Sequence, residues 1–367
     1  MIYKKYIKLI ATLLIVFFLI HFLTSLRQYS GSQGAESTKK REFTSELLKV
    51  DWKKHGFNYQ TNRLARLPKQ ASVREQLAFH FPYDILQPFQ KNIWQTWKVS
   101  LDHKEFPLKY KNFQSSWSEK NPDYVHHILS DSECHEFVNQ AYSTVPDVAE
   151  AYNIMPKSIL KADFFRYLVL FARGGVYSDI DTVDLKLIDT WVSLNEMLFG
   201  KPNIAGLVVG IEADPDRPDW AQYYARRIQF CQWTIQAKKG HPMLRELITK
   251  ITELTLWRKK ELKLTSVLGK DEGGDVMNWT GPGIWTDYLF QYMNSLLQSE
   301  DDSKSKEDDQ VITWKVFTGM EMPIAIEDVL ILPITSFSPD VGHMGSKGSN
   351  DPMAYVLHRF LGGWKTD

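Results

Sequence analysis

The pattern of hydrophobic and polar positions is most informative between Ser158 and Asp184, where a helical period gives way to a strand. Apolar side chains in the first part recur at helical spacing: Ile159, Leu160, Phe164, Tyr167, Leu168 and Phe171. This spacing predicts a helix with one apolar face. Gly174 and Gly175 end it, because glycine adopts the left-handed conformation that a helix C-terminus needs. Val176 to Asp181 then predicts a short strand that ends in two carboxylates.

These two carboxylates are the first candidate for chemistry. Residues two apart on a strand point to the same side, so Asp179 and Asp181 should converge while Ile180 points back into the core. Two convergent carboxylates suit a hard divalent cation that also holds phosphate oxygens. An Asp-x-Asp pair alone is a weak signal and often a solvated turn, which is our interpretation of the second pair, Asp214 and Asp216.

Asp163 and Arg166 lie one turn apart on the predicted helix and therefore share a face. Two interpretations are open for them. They form a surface ion pair of little energetic value, or they form a fork that grips the hydroxyl groups of a sugar.

The rest of the pattern alternates between strands and helices. Predicted strands begin at Ile93 and span Pro122 to Leu129, Gly206 to Ile211 and Ile324 to Ile334. Predicted helices span Ser72 to Phe79, Asp219 to Gln236 and Met243 to Leu256. This alternation predicts an α/β sheet that binds its ligand at the carboxyl ends of the strands.

The N-terminal segment predicts a membrane anchor. Leu9 to Leu26 carries no charged residue and is close to the ~20 apolar residues that span a bilayer. The main alternative is a cleaved signal peptide, whose apolar part is shorter, ~7–15 residues, and ends at a small-residue cleavage site. The run here is longer and ends in a poor cleavage site, which favours an uncleaved anchor. Lysines before the span predict a cytoplasmic N-terminus. The expected order is a tail at 1–8, a transmembrane signal anchor at 9–26, a lumenal stem at 27–80 and a compact domain at 81–367.

Composition adds limits on function and redox chemistry. The chain has 367 residues, 43% of them hydrophobic, and a formal net charge of +0. It can therefore bury a sizeable core and has no general attraction to nucleic acid. Cys134 and Cys231 lack zinc-binding spacing, so they form either a disulfide in a lumenal domain or two buried thiols.

The string A-D-F-F-R-Y-L-x-L-x-x-x-G-G-V-Y-S-D-I-D-T, which starts at Ala162, resembles the fungal DXD glycosyltransferases that make α-1,6-mannose linkages. It is similar, more distantly, to the sugar-nucleotide domain of large bacterial glucosylating toxins. Further blocks of resemblance lie at 92–98, 221–242, 278–287, 332–342 and 358–365, so that the likeness covers most of the chain from about residue 80 onward.

The resemblance implies a GT-A-like α/β fold with a mixed, mostly parallel central sheet, preceded by the single transmembrane helix. It implies GDP-mannose as donor, Mn²⁺ as cofactor and transfer to a high-mannose N-glycan with retention of the α configuration. It also implies a Golgi membrane protein with a lumenal domain, in a complex with other mannosyltransferases. The sequence singles out no carboxylate as nucleophile, so front-face attack and an unrecognised nucleophile both stay open.

The resemblance also assigns roles to residues. Catalysis falls to Asp179, Asp181 and Arg166. The donor would contact Trp94, Asp163, Arg166, Tyr177 and Asp179, although Trp94 is equally well explained as core. Trp285 and Asp287, which follow the turn at Thr280, would lie beside the acceptor. His358 either completes the metal site with Asp179 and Asp181 or is a structural histidine.

Two other classes of function compete with an enzyme of this kind. The chain could be a non-catalytic glycan-binding subunit of a mannosyltransferase complex, which the presence of all the motif residues disfavours. It could also be a metal-dependent phosphohydrolase, which needs additional acidic or histidine ligands for a second metal. The glycosylation sequon at Asn278 abuts the predicted acceptor turn, so we expect it to be unused.

Overall fold

The computed structural model describes residues 66–267, 272–298 and 311–362. The predicted tail, the membrane anchor and most of the predicted stem lie outside these residues. Within them, none of the helices has the length and apolar character needed to cross a membrane.

Strands and helices alternate along the described chain, as the pattern predicts. The first half contains α1 (Val73–His80), β1 (Asn92–Trp97), α2 (Leu108–Lys120), β2 (Val125–Ser130), α3 (Asp131–Ala141), α4 (Pro146–Ile154), α5 (Ser158–Arg173), β3 (Gly175–Ser178) and β4 (Thr182–Asp184). The second half contains β5 (Met197–Leu198), β6 (Lys201–Pro202), β7 (Leu207–Ala213), β8 (Gln229–Ala237), α6 (Pro242–Lys260), α7 (Glu272–Trp279), α8 (Pro282–Gln298), β9 (Ile324–Ile326), β10 (Val329–Leu332) and β11 (Val356–His358).

The central sheet of the described chain has seven strands in the order β2-β1-β3-β8-β7-β10-β9. Strands β2, β1 and β3 run parallel to one another, and β10 runs parallel to β7. Strand β8 runs antiparallel to both β3 and β7, which therefore point the same way. Only β8 and the edge strand β9 run against the others. The predicted mixed, mostly parallel α/β sheet is confirmed.

Helix α5 is buried more completely than the pattern predicts. Its residues from Asp163 to Ala172 are all buried, not only those on one face. A helix that is apolar on all sides belongs in the interior, and Phe165, Val169 and Leu170 extend the predicted apolar face. Because α5 is central, two of its charged residues, Asp163 and Arg166, are taken out of water with it.

Two glycines make the sharp passage from α5 to β3. Gly174 caps the helix with φ 67° and ψ −178°, a conformation that is almost restricted to glycine. At Gly175, with φ 106°, a Cβ atom would lie 2.4 Å from the carbonyl oxygen of Asn92 on β1. Glycine is therefore needed here both for its backbone freedom and for the close approach of β1 and β3.

The predicted helix from Asp219 to Gln236 is wrong. Only a single 3₁₀ turn, Trp220–Gln222, forms there, and Gln229–Ala237 is strand β8. Every residue of β8 is buried, so the strand lacks the alternation of apolar and polar residues that marks a half-exposed strand. The last predicted strand is instead a hairpin of β9 and β10 that turns at Glu327, where φ is 50°.

A small second sheet brings the C-terminal part of the chain to the Asp179 turn. Strand β11 pairs antiparallel with β4, so that Val356 lies opposite Asp184 and His358 opposite Thr182. His358 is thereby placed beside Asp181.

Candidate active site

The carboxylate pair lies in the turn between β3 and β4 rather than on the strand itself. Strand β3 ends at Ser178, and the Thr182 N–H donates to the carbonyl oxygen of Asp179 at 3.1 Å. Ile180 is 5% exposed and packs against Phe106 and Tyr110, which confirms that it points into the core. The turn, not the two-residue period of a strand, makes the flanking carboxylates converge.

The donor set at this turn fits a divalent cation. Ligand atoms of Asp179, Asp181 and His358 all lie within 4.8 Å of one another. Two carboxylates and an imidazole are ligands that Mn²⁺ and similar cations accept. The geometry therefore brings together the three residues predicted to hold a metal, whose role stays a prediction.

His358 is held by two hydrogen bonds that define its tautomer. Its Nδ1 accepts the Phe360 N–H at 3.0 Å, and its Nε2 lies 3.3 Å from Oδ1 of Asp181. In the neutral ring the proton is therefore on Nε2, which donates to Asp181. To coordinate a cation through Nε2, the ring must move this proton to Nδ1 and release the Phe360 N–H.

The two aspartates have opposite electrostatic environments. Burial raises the pKa of Asp179, and the charge of Asp181 adds to this, while Arg166 opposes it. Burial would also raise the pKa of Asp181, but hydrogen bonds from His358 and from the Leu361 N–H outweigh burial and hold it below its ordinary value. A cation between the two carboxylates would offset the cost of keeping both ionised.

Asp163 and Arg166 form a buried ion pair, so the interpretation as a surface pair is wrong. They are 2% and 4% exposed, and Nη2 of Arg166 lies 2.8 Å from Oδ1 of Asp163. Nη1 of Arg166 donates to the carbonyl oxygen of Gln232 at 3.0 Å. Nη2 also lies 3.7 Å from Oδ1 of Asp179. The guanidinium group thus bridges helix α5, strand β8 and the carboxylate turn.

The surroundings of this pair tune its charge. Burial raises the pKa of Asp163 to about 6, although Arg166 acts in the opposite direction. The neighbouring anions keep Arg166 charged. Tyr177 contacts both Arg166 and Asp179. The centre of its ring lies 5.2 Å from the guanidinium carbon of Arg166, and its hydroxyl donates to Oδ1 of Asp179 at 2.9 Å.

Gln232 is a site residue that the sequence analysis missed. Its side-chain Nε2 donates to Oδ1 of Asp163 at 2.7 Å, and its backbone carbonyl oxygen accepts a hydrogen bond from Arg166. The hydroxyl of Thr280 also donates to Asp163, at 3.3 Å. The sequence pattern predicts a helix over Gln232, whereas the residue lies on strand β8, so the pattern gives no signal that its side chain faces Asp163.

Trp94 is placed as a core residue on β1. It is 5% exposed, its Nε1 donates to the carbonyl oxygen of Gly174 at 2.9 Å, and its ring stacks on His127 at 4.1 Å. These contacts favour the structural interpretation. The predicted contact with the nucleotide base stays a prediction.

The two residues predicted beside the acceptor have different environments. Trp285 is fully buried, stacks on Tyr167 at 5.2 Å and donates to the carbonyl oxygen of Cys231 at 3.0 Å. Its ring therefore offers no face to a ligand in this structure. Asp287 keeps 17% of its side chain exposed and accepts two hydrogen bonds from Arg226, at 2.6 and 2.5 Å.

The two residues of the second Asp-x-Asp pair, Asp214 and Asp216, have different environments. Asp214 lies 3.0 Å from Arg227 and accepts the Gly319 N–H at 2.6 Å, so it ties two loops together. Asp216 is exposed. Asp214 is therefore a structural residue, which corrects its interpretation as part of a solvated turn.

The remaining chemical candidates are resolved by burial. Cys134 and Cys231 are both buried free thiols, so no disulfide joins them. The sequon residue Asn278 is exposed and accepts a hydrogen bond from Arg226 at 3.2 Å, whereas Thr280 of the same sequon is fully buried. Whether Asn278 carries a glycan stays a prediction.

Comparison with known proteins adds independent information. The model of the family described as "Glycosyltransferase sugar-binding region containing DXD motif" matches residues 107–198. The chain is 58% identical to the initiation-specific alpha-1,6-mannosyltransferase of Candida albicans, over 99% of this chain and 95% of that protein. It is 37% identical to the protein of the same name from Saccharomyces cerevisiae, over 99% of this chain and 96% of that protein.

One solved structure, titled "PaToxG Glycosyltransferase", superposes on this chain with a TM-score of 0.37 and 20% identity. The superposition covers 61% of this chain and 76% of the other. A likeness this partial carries no weight for the site.

Proposed function

Because the chain belongs to the DXD-containing glycosyltransferase family of the initiation-specific alpha-1,6-mannosyltransferases, we propose that it transfers mannose from GDP-mannose to N-glycans. The acceptor is the high-mannose core glycan of glycoproteins, and the α-1,6 linkage initiates elongation of the outer chain. The observation that carries this proposal is the convergence of Asp179, Asp181 and His358 beside the buried Arg166–Asp163 pair.

The carboxylate turn is the proposed binding site for Mn²⁺ and the diphosphate. Asp179, Asp181 and His358 would hold the cation, which when bound neutralises charge on the leaving GDP. The fold positions these groups. Gly174 ends α5 just before β3 and the turn, and the pairing of β11 with β4 places His358 beside the turn.

The Arg166–Asp163 pair is the proposed binding site for the mannose of the donor. Its buried position excludes water, so hydrogen bonds to sugar hydroxyls are stronger there than at the surface. Gln232 and Thr280 fix the Asp163 carboxylate, and Tyr177 fixes the guanidinium plane. Held in this way, the pair orients the sugar before transfer instead of reorganising around it.

The stereochemistry and the setting of the reaction complete the proposal. An α-linked donor that gives an α-linked product implies net retention at the anomeric carbon. The catalytic domain adopts a GT-A-like fold and lies in the Golgi lumen, anchored as a type II membrane protein by residues 9–26. It works beside other mannosyltransferases of the same membrane.

The test is a transfer assay with the full-length protein in detergent. We expect that GDP-mannose, Mn²⁺ and a high-mannose N-glycan yield one added mannose, and that linkage analysis identifies it as α-1,6. UDP-glucose in place of GDP-mannose serves as the control and should give no product. Binding of GDP-mannose without transfer to any N-glycan would instead favour the non-catalytic glycan-binding subunit.

A further inference from the structure

Glu212 lies at the same edge of the sheet as the carboxylate turn. It is the residue before the last in β7, and β7 and β3 run in the same direction because both pair antiparallel with β8. Their carboxyl ends therefore lie at one edge, where α/β sheets bind their ligands. Arg166 reaches the same part of the sheet, because its Nη1 donates to the backbone carbonyl oxygen of Gln232 on β8, the strand between β3 and β7.

Several buried polar atoms around Glu212 have no hydrogen-bond partner within the part of the chain that the structure describes. They are Oε2 of Glu212, Nε2 of Gln229 and Nε of Arg166. Gln229 is fixed, because its Oε1 accepts the Ala225 N–H at 2.9 Å. It lies opposite Ala213 in the pairing of β8 with β7, and Ala213 directly follows Glu212 along β7. Native proteins rarely leave such groups unsatisfied, so this cluster points to a ligand.

The chemistry of the cluster selects the kind of ligand. Glu212 offers a carboxylate acceptor, whereas Gln229 and Arg166 offer N–H donors. A phosphate would be repelled by the carboxylate, and a metal cation by the guanidinium group. A hydroxyl group both donates and accepts, so a single hydroxyl satisfies Glu212 and Gln229 together. A neutral polyhydroxylated ligand, a sugar, fits this combination best.

We propose that Glu212 binds the transferred mannose, with its Oε2 accepting a hydrogen bond from one sugar hydroxyl while the Gln229 amide donates to the same hydroxyl. This inference rests on the proposed function, because it adds a second grip on the sugar held by Arg166 and Asp163. Burial raises the pKa of Glu212 to about 7. A bound hydroxyl would restore part of the solvation that burial removes from the carboxylate.

The test compares binding of GDP-mannose with binding of GDP by titration calorimetry, using the full-length protein in detergent with Mn²⁺. Glu212→Gln keeps the shape of the side chain and removes its charge. We expect it to weaken GDP-mannose binding about tenfold, the effect of one charge-assisted hydrogen bond, and to leave GDP binding unchanged. Glu253→Gln, at an exposed position on α6, is the matched control and should bind both nucleotides like the parent.

Deoxy-mannose donors give a second, independent readout. If Glu212 contacts a hydroxyl, one deoxy donor should bind the parent about tenfold more weakly than GDP-mannose but show no further loss in Glu212→Gln. Additive losses for every deoxy donor, or equal weakening of GDP and GDP-mannose, would overturn the inference. A parent protein that binds GDP but not GDP-mannose would instead overturn the proposed donor, and the inference with it.

Discussion

Replacing Arg166 by lysine tests the proposed grip on mannose with the smallest change in charge. Arg166 contacts Asp163 at 2.8 Å through Nη2 and the carbonyl oxygen of Gln232 at 3.0 Å through Nη1. A single ammonium group cannot make both contacts with the planar geometry of a guanidinium. Each lost hydrogen bond to a charged group costs about 1.5–3 kcal/mol, so transfer should fall about 10- to 100-fold.

The site is buried, so this variant should also lose stability, which the sequence alone did not indicate. We therefore expect a lower unfolding temperature together with the loss of activity. The assay is the rate of mannose transfer per folded molecule, alongside binding of free GDP, which should change little because Arg166 is proposed to hold the sugar.

Arg258→Lys provides the matched control for this experiment. Arg258 also makes a two-pronged contact with a carboxylate, that of Asp275, at 3.1 and 2.6 Å, and it stacks on Trp279 at 4.0 Å. Its variant should lose stability but keep its activity per folded molecule. Near-parental turnover in Arg166→Lys, or an equal loss of turnover in the control, would show that Arg166 serves only the packing of α5.

Three further predictions follow from burial and from the chain order. Burial raises the pKa of Asp163 from 3.8 to about 6, so Asp163 becomes protonated below about pH 6 and a pH–rate profile should show turnover falling there. The folded state then binds a proton that the unfolded state does not, so the contribution of Asp163 to stability rises as the pH drops from 6 to 3.8. A profile flat down to pH 4 would contradict this. The Cys134→Ser/Cys231→Ser double variant should unfold more easily by about 1–3 kcal/mol in denaturant titrations and keep its activity per folded molecule, with or without reductant. A chain that starts near Gln28 behind a cleavable signal should be secreted and active. Recovery of the native protein from the medium without residues 1–26 would exclude an anchor.

The order from α5 to β3 could be predicted because local signals agree there. The helical period ends at Gly174, where the backbone conformation requires glycine, and Ile180 is the apolar residue of the turn. Strand β8 could not be predicted, because every one of its residues is buried. Its sequence therefore lacks the alternation of polar, exposed residues with apolar, buried ones that indicates a half-exposed strand. The pattern therefore predicts a helix at Gln232 and gives no indication of its contact with Asp163.

Contacts between distant parts of the chain account for the rest. The Leu361 N–H donates to Oδ2 of Asp181 across 180 residues of sequence, and the pairing of β11 with β4 places His358. No local pattern contains this information, so the sequence alone does not decide whether His358 binds a metal or is a structural histidine. Burial of Asp163 and Arg166 depended likewise on the packing of α5 in the centre of the fold.

The central claim is that the Asp179 turn holds the cation that transfer requires. The most direct measurement is the rate of mannose transfer by Asp179→Asn, with Asp216→Asn as control, in chelator and after Mn²⁺ is restored. Asp216 suits this purpose because it is exposed, whereas Asp214 is tied to Gly319. We predict a loss of about 10²–10⁴-fold for Asp179→Asn, parental activity for Asp216→Asn, and abolition of parental activity by chelator with recovery in Mn²⁺. Full activity in excess chelator, or equal losses in the two variants, would contradict the claim.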